Sequence, residues 1–199
     1  YYDHLALVSG GPKYNDEAGI YPKQSGNEEL SWEQTWSNNI GLRLGFFNRV
    51  NLDIDFYHKK TTDMLMSVPE SYAITGEGYR WDNIGAMVNR GVEVSVNSDI
   101  IRTKDFTWNL NANVSYNKNK LVELYNGVQE YVNSTTGLKF VVGHPVHEFF
   151  LNRYAGVNPA NGDALWYTKD GELTTEFNES DKVMTGKTFD SPWAGGFGT

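Results

Sequence analysis

The stretch FTWNLNANVSYNK, residues 106–118, decides how this chain is read. Phe106, Trp108, Leu110, Ala112, Val114 and Tyr116 are apolar; Thr107, Asn109, Asn111, Asn113 and Ser115 between them are short, polar and uncharged. Successive side chains of an extended strand point to opposite faces, so strict alternation predicts a strand over 106–116. One of its faces is greasy and the other is lined with asparagine. Three further segments alternate in the same way. In 39–47, Ile40, Leu42, Leu44 and Phe46 oppose Gly41, Arg43 and Gly45. In 50–60, Val50, Leu52, Ile54 and Phe56 oppose Asn51, Asp53, Asp55 and Tyr57. In 91–101, Val92, Val94 and Val96 oppose Glu93, Ser95 and Asn97, and the alternation blurs at Ser98 and Asp99.

The connections fall into two kinds. Asn48-Arg49 and Arg102–Asp105 read as tight polar hairpin turns. The stretches 61–90 and about 117–144 are long and show no clear periodicity, and such connections are uncommon in compact soluble domains. Short turns at one end and long loops at the other are the pattern of an outer-membrane barrel, whose strands need about 9–11 residues to cross. Aromatic side chains gather near the strand ends: Phe46, Phe47, Phe106 and Trp108 by the short turns, Phe56, Tyr57 and Tyr116 toward the long loops. Such rings favour a membrane–water interface. We therefore expect an all-β fold, an antiparallel transmembrane barrel segment with long extracellular loops. Leu42, Leu44, Leu52, Ile54, Val92, Val94, Leu110 and Val114 would face lipid. Arg43, Asp53, Asp55, Glu93, Asn109, Asn111 and Asn113 would face the lumen.

Composition sets the outer limits. The 199 residues carry a formal net charge of −8, and no Lys/Arg run interrupts it, so no nucleic-acid partner is expected. Cysteine is absent, which removes disulfide frameworks and thiolate metal sites. A mean hydropathy of −0.53 and the lack of any apolar run near 20 residues argue against spanning helices. They do not argue against a membrane barrel, because half of each strand faces water. The chain opens at Tyr1 with no methionine and stops just after AGGFG, so we expect a segment of a longer protein. A β-sandwich also alternates. A soluble carbohydrate-binding sandwich and a passive porin or adhesin barrel therefore remain alternatives at this point, and the sandwich requires 106–116 to pack on a second sheet.

NIGLRLGFFNRVNLDIDFYHKKTTDML resembles the C-terminal barrel of SusC/RagA-like TonB-dependent outer-membrane transporters, with Phe56 and His58 as mild variations. The block NIGAMVNRGVEV over 83–94 and the hairpin after it, ELSW upstream, and VGHPVHEFFLNRYAGVNPANGDALWY downstream are similar to further blocks of that family, in the same order. The match runs over about residues 29–199. The resemblance implies a 22-stranded barrel with an N-terminal plug, a SusD-like lipoprotein partner, and energy from TonB through a region outside this chain. It also implies import of oligosaccharides or peptides across a Gram-negative outer membrane. On that frame 1–38 is an extracellular loop with a strand remnant and 39–117 holds four transmembrane strands around the external loop 61–90. Residues 118–188 form a loop region with a short hairpin, and 189–199 begin a further strand.

No catalytic constellation is present, so a non-enzyme without cofactor is expected. His144 and His147 stand three apart in HPVH, but no third ligand is evident, and loop packing is the preferred reading over a metal site. Asn158, Asn161 and Asp163 loosely match an EF-hand start yet lack its later acidic ligands; Pro159 and Gly162 point instead to a turn. Sugar rings stack on aromatic faces while amides and carboxylates bind their hydroxyls. Candidate substrate-binding residues are therefore Tyr79, Arg80, Trp81 and Asp82 in the first loop, Tyr125 and Tyr131 in the second, and Trp166 and Tyr167 in the third. The two-face reading separates two substitutions. Val94→Arg should cost roughly 2–4 kcal/mol at the centre of a lipid face, whereas Asn111→Arg should be tolerated. Denaturant titration of the full-length protein refolded in lipid vesicles checks this.

Overall fold

The alternating segments pair into a single open sheet. The computed structural model describes residues 4–11, 13, 15–69, 71–72, 78–133 and 137–199; parts of the expected outer segments 1–38, 61–90 and 118–188 lie outside the described residues. In chain order the strands are β1 (Leu7–Gly10), β2 (Ile20–Gln24), β3 (Gln34–Phe46), β4 (Val50–Thr62), β5 (Leu65–Pro69), β6 (Tyr79–Asn83), β7 (Ala86–Arg102) and β8 (Thr107–Glu123). There follow β9 (Glu130–Val132), β10 (Lys139–Val141), β11 (Glu148–Leu151), β12 (Arg153–Val157), β13 (Ala164–Tyr167), β14 (Leu173–Thr174), β15 (Val183–Thr188) and β16 (Trp193–Gly198). The main sheet has five antiparallel strands in the order β16-β8-β7-β4-β3.

Its register keeps like with like. Leu42, Ile54, Val94, Val114 and Gly195 form one cross-strand row, and Arg43, Asp53, Ser95, Asn113 and Gly196 form the next row on the opposite face. Ile40, Leu42, Phe46, Phe56, Val114, Trp193 and Phe197 are all exposed. The sandwich alternative needed 106–116 covered, yet Phe106, Trp108 and Val114 are open and no second sheet of described residues packs on them.

Several boundaries differ from those read in the sequence. The four long strands extend beyond 39–47, 50–60, 91–101 and 106–116, chiefly at the loop end, where Gln34–Asn38, Thr61–Thr62, Ala86–Arg90 and Asn117–Glu123 add to the ladder. Main-chain pairing continues where the alternation of polarity has stopped, because the bonds are made by the backbone and not by the side chains. The first hairpin turn is Phe47–Arg49 and so includes Phe47. Phe47 and Asn48 both take φ of 52°, and Arg49 N donates to Phe46 O at 3.0 Å. Positive φ at the turn residues matches the right-handed twist of the flanking strands. In the second turn Phe106 precedes the strand and is held by Thr103, whose Oγ1 donates to Phe106 O and accepts from Phe106 N. The blurred alternation near Ser98 corresponds to a β-bulge between Asp99 and Ile101, after which Ile101 faces Trp108.

The long connections are also structured. Within 61–90 the chain kinks at Asp63 (φ 55°) and Gly85 (φ 106°) and continues as the β5–β6 hairpin, Leu65 opposite Asn83 and Pro69 opposite Tyr79. Residues 118–188, expected to hold one short hairpin, contain β9–β10, the three-stranded β12-β13-β14, and the non-local pair β11–β15. The buried apolar residues sit here, at the loop end: Val68, Ala86, Leu121 and Leu124.

Gly91 is sterically required. Gly91 lies opposite Asn117 on one side and Tyr57 on the other, and the Tyr57 hydroxyl donates to Asn117 Oδ1 at 2.9 Å. A Cβ at Gly91 would run into the Tyr116 carbonyl oxygen and stand 2.6 Å from Tyr57 Oη. Gly91→Ala should therefore destabilise by about 1–3 kcal/mol, the usual cost of overpacking. The fraction of full-length protein that stays compact on unheated gels is the readout, and wild-type behaviour would remove the steric argument.

Candidate functional site

The polar face is a continuous wall of side chains that carry hydrogen-bonding groups. Near the short turns, Asn51, Asn97, Asn109 and Asn111 line a shallow hollow of about 170 Å³. Farther along, Asp53, Asp55, Glu93, Ser95, Asn113 and Ser115 line one of about 300 Å³. Arg43 Nε lies 3.5 Å from Asp53 Oδ1 in an exposed pair, which water screens. Asp55 and Glu93 are direct cross-strand neighbours, two carboxylates that require solvent between them. Gly41 makes room for the first, since a Cβ there would lie 2.5 Å from Asp55 Oδ1.

Above the wall the loop aromatics form separate groups. Tyr79, Arg80, Trp81 and Asp82 belong to β6. Arg80 Nη2 reaches Asp82 Oδ2 at 2.9 Å, while Asn27 Nδ2 donates to Trp81 O and Asp82 Oδ1 at 3.0 and 3.3 Å. Asp82 is thus committed to holding the hairpin on the 27–31 segment. Tyr125 meets Tyr131 edge-on with centroids 5.7 Å apart, and Tyr131 stacks on Phe140 at 5.8 Å. The Tyr131 hydroxyl donates to Ser67 O at 3.5 Å, which brings the second group against the first. Trp166 stands apart, between Tyr154 and Phe177, and Tyr167 lies under the Arg153 guanidinium. Tyr154, Tyr167, Phe149 and Met184 line a broad hollow of about 680 Å³.

Comparison with known proteins identifies the family. A family model described as TonB dependent receptor-like, beta-barrel, matches residues 7–199. The chain belongs to this family of TonB-dependent receptor β-barrels. It is similar to a TonB-dependent receptor of Formosa agariphila, 41% identical over 124 residues, which cover 62% of this chain and 12% of that protein. It is also similar to the TonB-dependent receptor SusC of Bacteroides thetaiotaomicron, 36% identical over 151 residues, which cover 70% of this chain and 15% of the relative. Among solved structures, that of the RagAB peptide transporter superposes with a TM-score of 0.86 at 33% identity, covering 98% of this chain and 22% of the matched one. The chain thus spans a small part of the length of its relatives. The SusC/RagA-like resemblance of the sequence is confirmed.

Within this TonB-dependent receptor segment, sequence reasoning missed the residues that hold the loops to the wall. The turn VGHPVHE docks on the top of β8. Gly143 N donates to Leu121 O, Leu121 N donates to His144 O, each at 2.8 Å, and Val146 N donates to Asn119 Oδ1 at 2.8 Å. Glu148 is only 2% exposed; it accepts from Gly186 N at 2.6 Å, and its other oxygen lies 2.8 Å from His144 Nδ1. His147 stacks on Phe189 and meets Asp190 at 2.6 Å. The two histidines are therefore turned to different carboxylates, and among the described residues no three His, Asp or Glu converge on a metal position. The Asn158–Asp163 segment is a turn: Asn158 Oδ1 accepts from Ala160 N, and Asn161 Nδ2 donates to Asp163 Oδ2. The only sequence signal for Glu148 is a lone acid between HPVH and two phenylalanines. Glu148→Ala leaves the Gly186 amide without its acceptor, a loss of about 1–3 kcal/mol. Hydrogen exchange in the full-length protein should quicken at 143–148 and 185–190 while the five-stranded sheet stays protected.

Proposed function

We propose that this chain forms part of the wall and outer mouth of a transporter that imports oligosaccharides, or peptides, across the outer membrane of a Gram-negative cell. The observation that carries the reading is the five-stranded sheet with one exposed apolar face and one exposed polar face along the same residues. A bilayer on one side and a hydrated lumen on the other is the surrounding in which both faces are satisfied. In the 22-stranded barrel that the family resemblance implies, β3 and β16 would pair with further strands. Energy would come from TonB through a region this chain does not span, and a SusD-like lipoprotein would meet the loop end. The relatives support this: one is SusC, and the solved neighbours are the RagAB peptide transporter and the RagAB peptide importer.

In mechanism, the wall residues Arg43, Asp53, Asp55, Glu93, Asn109, Asn111 and Asn113 trade hydrogen bonds with a passing solute and keep the path wet. The loop groups make first contact. Aromatic faces of Trp81, Tyr125, Tyr131 and Trp166 stack on sugar C–H surfaces or on apolar peptide side chains, and Arg80 and Tyr79 supply polar contacts beside them. Asp82 acts by fixing Arg80.

Single cysteines placed in the full-length transporter, itself freed of other cysteines, test the wall. Asn111→Cys should react with a membrane-impermeant maleimide and Val94→Cys should not, while a lipid-borne quencher should reach only a probe at 94. The reverse pattern sinks the assignment. For the loops, Trp81→Ala should weaken apparent substrate affinity about two- to tenfold, from the roughly 0.5–1.5 kcal/mol of one aromatic contact. Uptake of labelled oligosaccharides and of labelled peptides by cells carrying this variant identifies the substrate class.

A further inference from the structure

The cross-strand register gathers five basic side chains on the apolar side of the sheet, beyond its last apolar row. That last row is Ile40, Phe56, Val92, Tyr116 and Trp193, with Tyr116 and Trp193 in ring contact at 4.7 Å. Two residues farther from the short turns, Asn38, His58, Arg90 and Lys118 form the next row on this side. The row after that is Trp36, Lys60, Val88 and Lys120. All five basic residues are exposed, and none forms an ion pair with a described carboxylate. The pairing of these rows has no bulge, so their facing is that of the apolar row below them.

Charge is sorted by face. Of the acids in the four long strands, Asp53, Asp55, Glu93 and Asp99 lie on the polar side and Glu123 ends β8 beyond the Ala86–Met87 bulge, and no Asp or Glu occupies the apolar-side positions 34–62, 86–98 or 108–122. In a chain of net charge −8, this basic patch runs against the overall balance. Its depth is informative as well. A strand rising about 3.3 Å per residue and tilted by about 40° gains roughly 2.5 Å of height per residue. The two basic rows therefore stand about 5 and 10 Å above the aromatic one. A headgroup layer of about 5–8 Å lies outside the hydrocarbon on each side, so the first basic row lies within it and the second at its outer edge, where the long lysine side chains reach back into it. Interfacial aromatics with ammonium and guanidinium groups just beyond them are the arrangement that meets anionic headgroups. Neighbouring strands lie about 4.8 Å apart, so the backbone positions of His58, Arg90 and Lys118 span about 10 Å, within which their side chains can converge on one phosphate.

We propose that His58, Arg90 and Lys118, backed by Lys60 and Lys120, form a binding site for the phosphate groups of a glycolipid in the outer leaflet. The inference rests on the outer-membrane barrel reading, because that reading puts the long-loop end outside and the apolar face in lipid. The site holds the barrel at a set height and leaves the polar face free for transport.

The test uses the full-length transporter in nanodiscs of phosphatidylethanolamine with added lipopolysaccharide, either intact or enzymatically dephosphorylated. Bound glycolipid is counted by native mass spectrometry. Wild type should retain at least about tenfold more of the intact than of the dephosphorylated form, and Arg90→Gln/Lys118→Gln should lose that preference. Adjacent residues provide the control. Lys60→Gln should lower retention two- to fivefold, whereas Lys59→Gln, on the opposite face, should leave it unchanged. Equal retention of both glycolipid forms, or equal loss in Lys59→Gln and Lys60→Gln, overturns the site. A change of oligomeric mass in the double variant without loss of glycolipid also overturns it, assigning the face to a second copy. Heat-modifiable migration on gels reads the barrel separately. A folded barrel without glycolipid preference defeats this inference alone, and a chain soluble without detergent defeats the outer-membrane reading itself.

Discussion

The rest of the molecule depends on the strand-to-strand register of the five-stranded sheet. Each strand carries an apolar and a polar set of side chains, and a slip of one residue in any ladder would put part of one set among the other. The ladders from β3 through β4, β7 and β8 to β16 keep both sets aligned across the sheet. Local features pin them. Phe47 and Asn48 turn the first hairpin with positive φ, Thr103 closes the second, and the bulge at Asp99–Ile101 restores the facing of Ile101 after the alternation falters. Just beyond the last apolar row the Tyr57 hydroxyl reaches Asn117 across Gly91, so a register error there would break a side-chain bond that spans three strands.

A sheet with one exposed apolar face and one exposed polar face has no core of its own. Close packing is accordingly found elsewhere, where the extended ends of β7 and β8 meet the loops: Ala86, Leu121 and Leu124, with Val68 from the β5–β6 hairpin. The VGHPVHE turn completes this region by hydrogen-bonding both main-chain groups of Leu121. Glu148, tied to Gly186 N and His144, joins the turn to β15. Because these bonds link segments far apart in the chain, the loop aromatics are presented on a braced surface. Tyr131 illustrates the coupling, since one side chain contacts Tyr125, Phe140 and the Ser67 carbonyl. Trp166 belongs to a different brace, built from Tyr154 and Phe177.

Charge follows the same division of faces. Acids and amides occupy the polar side, where water or a hydrated solute can satisfy them, and unpaired bases appear on the other side only beyond the last apolar row. A composition of net −8 conceals this arrangement, since averaging over the chain mixes residues that the pleat separates.

The sequence by itself determined the class of fold, because alternation with period two can be satisfied only by an extended strand with two different surroundings. FTWNLNANVSYNK, NIGLRLGFF and their two companions therefore showed the strands, their facing and the all-β architecture, and the family followed from the order of the same blocks. The sequence did not disclose how far the strands run past the alternating segments, since backbone pairing leaves no mark in side-chain polarity. It did not disclose that 61–90 folds back as a hairpin or that Glu148 is buried. Of the candidate binding residues, it named the aromatics without grouping them: Tyr131 joins Tyr125, Trp166 stands apart, and Asp82 is spent on Arg80 and Asn27. Those facts depend on contacts between segments distant in the chain, and only the tertiary structure decides which of them meet.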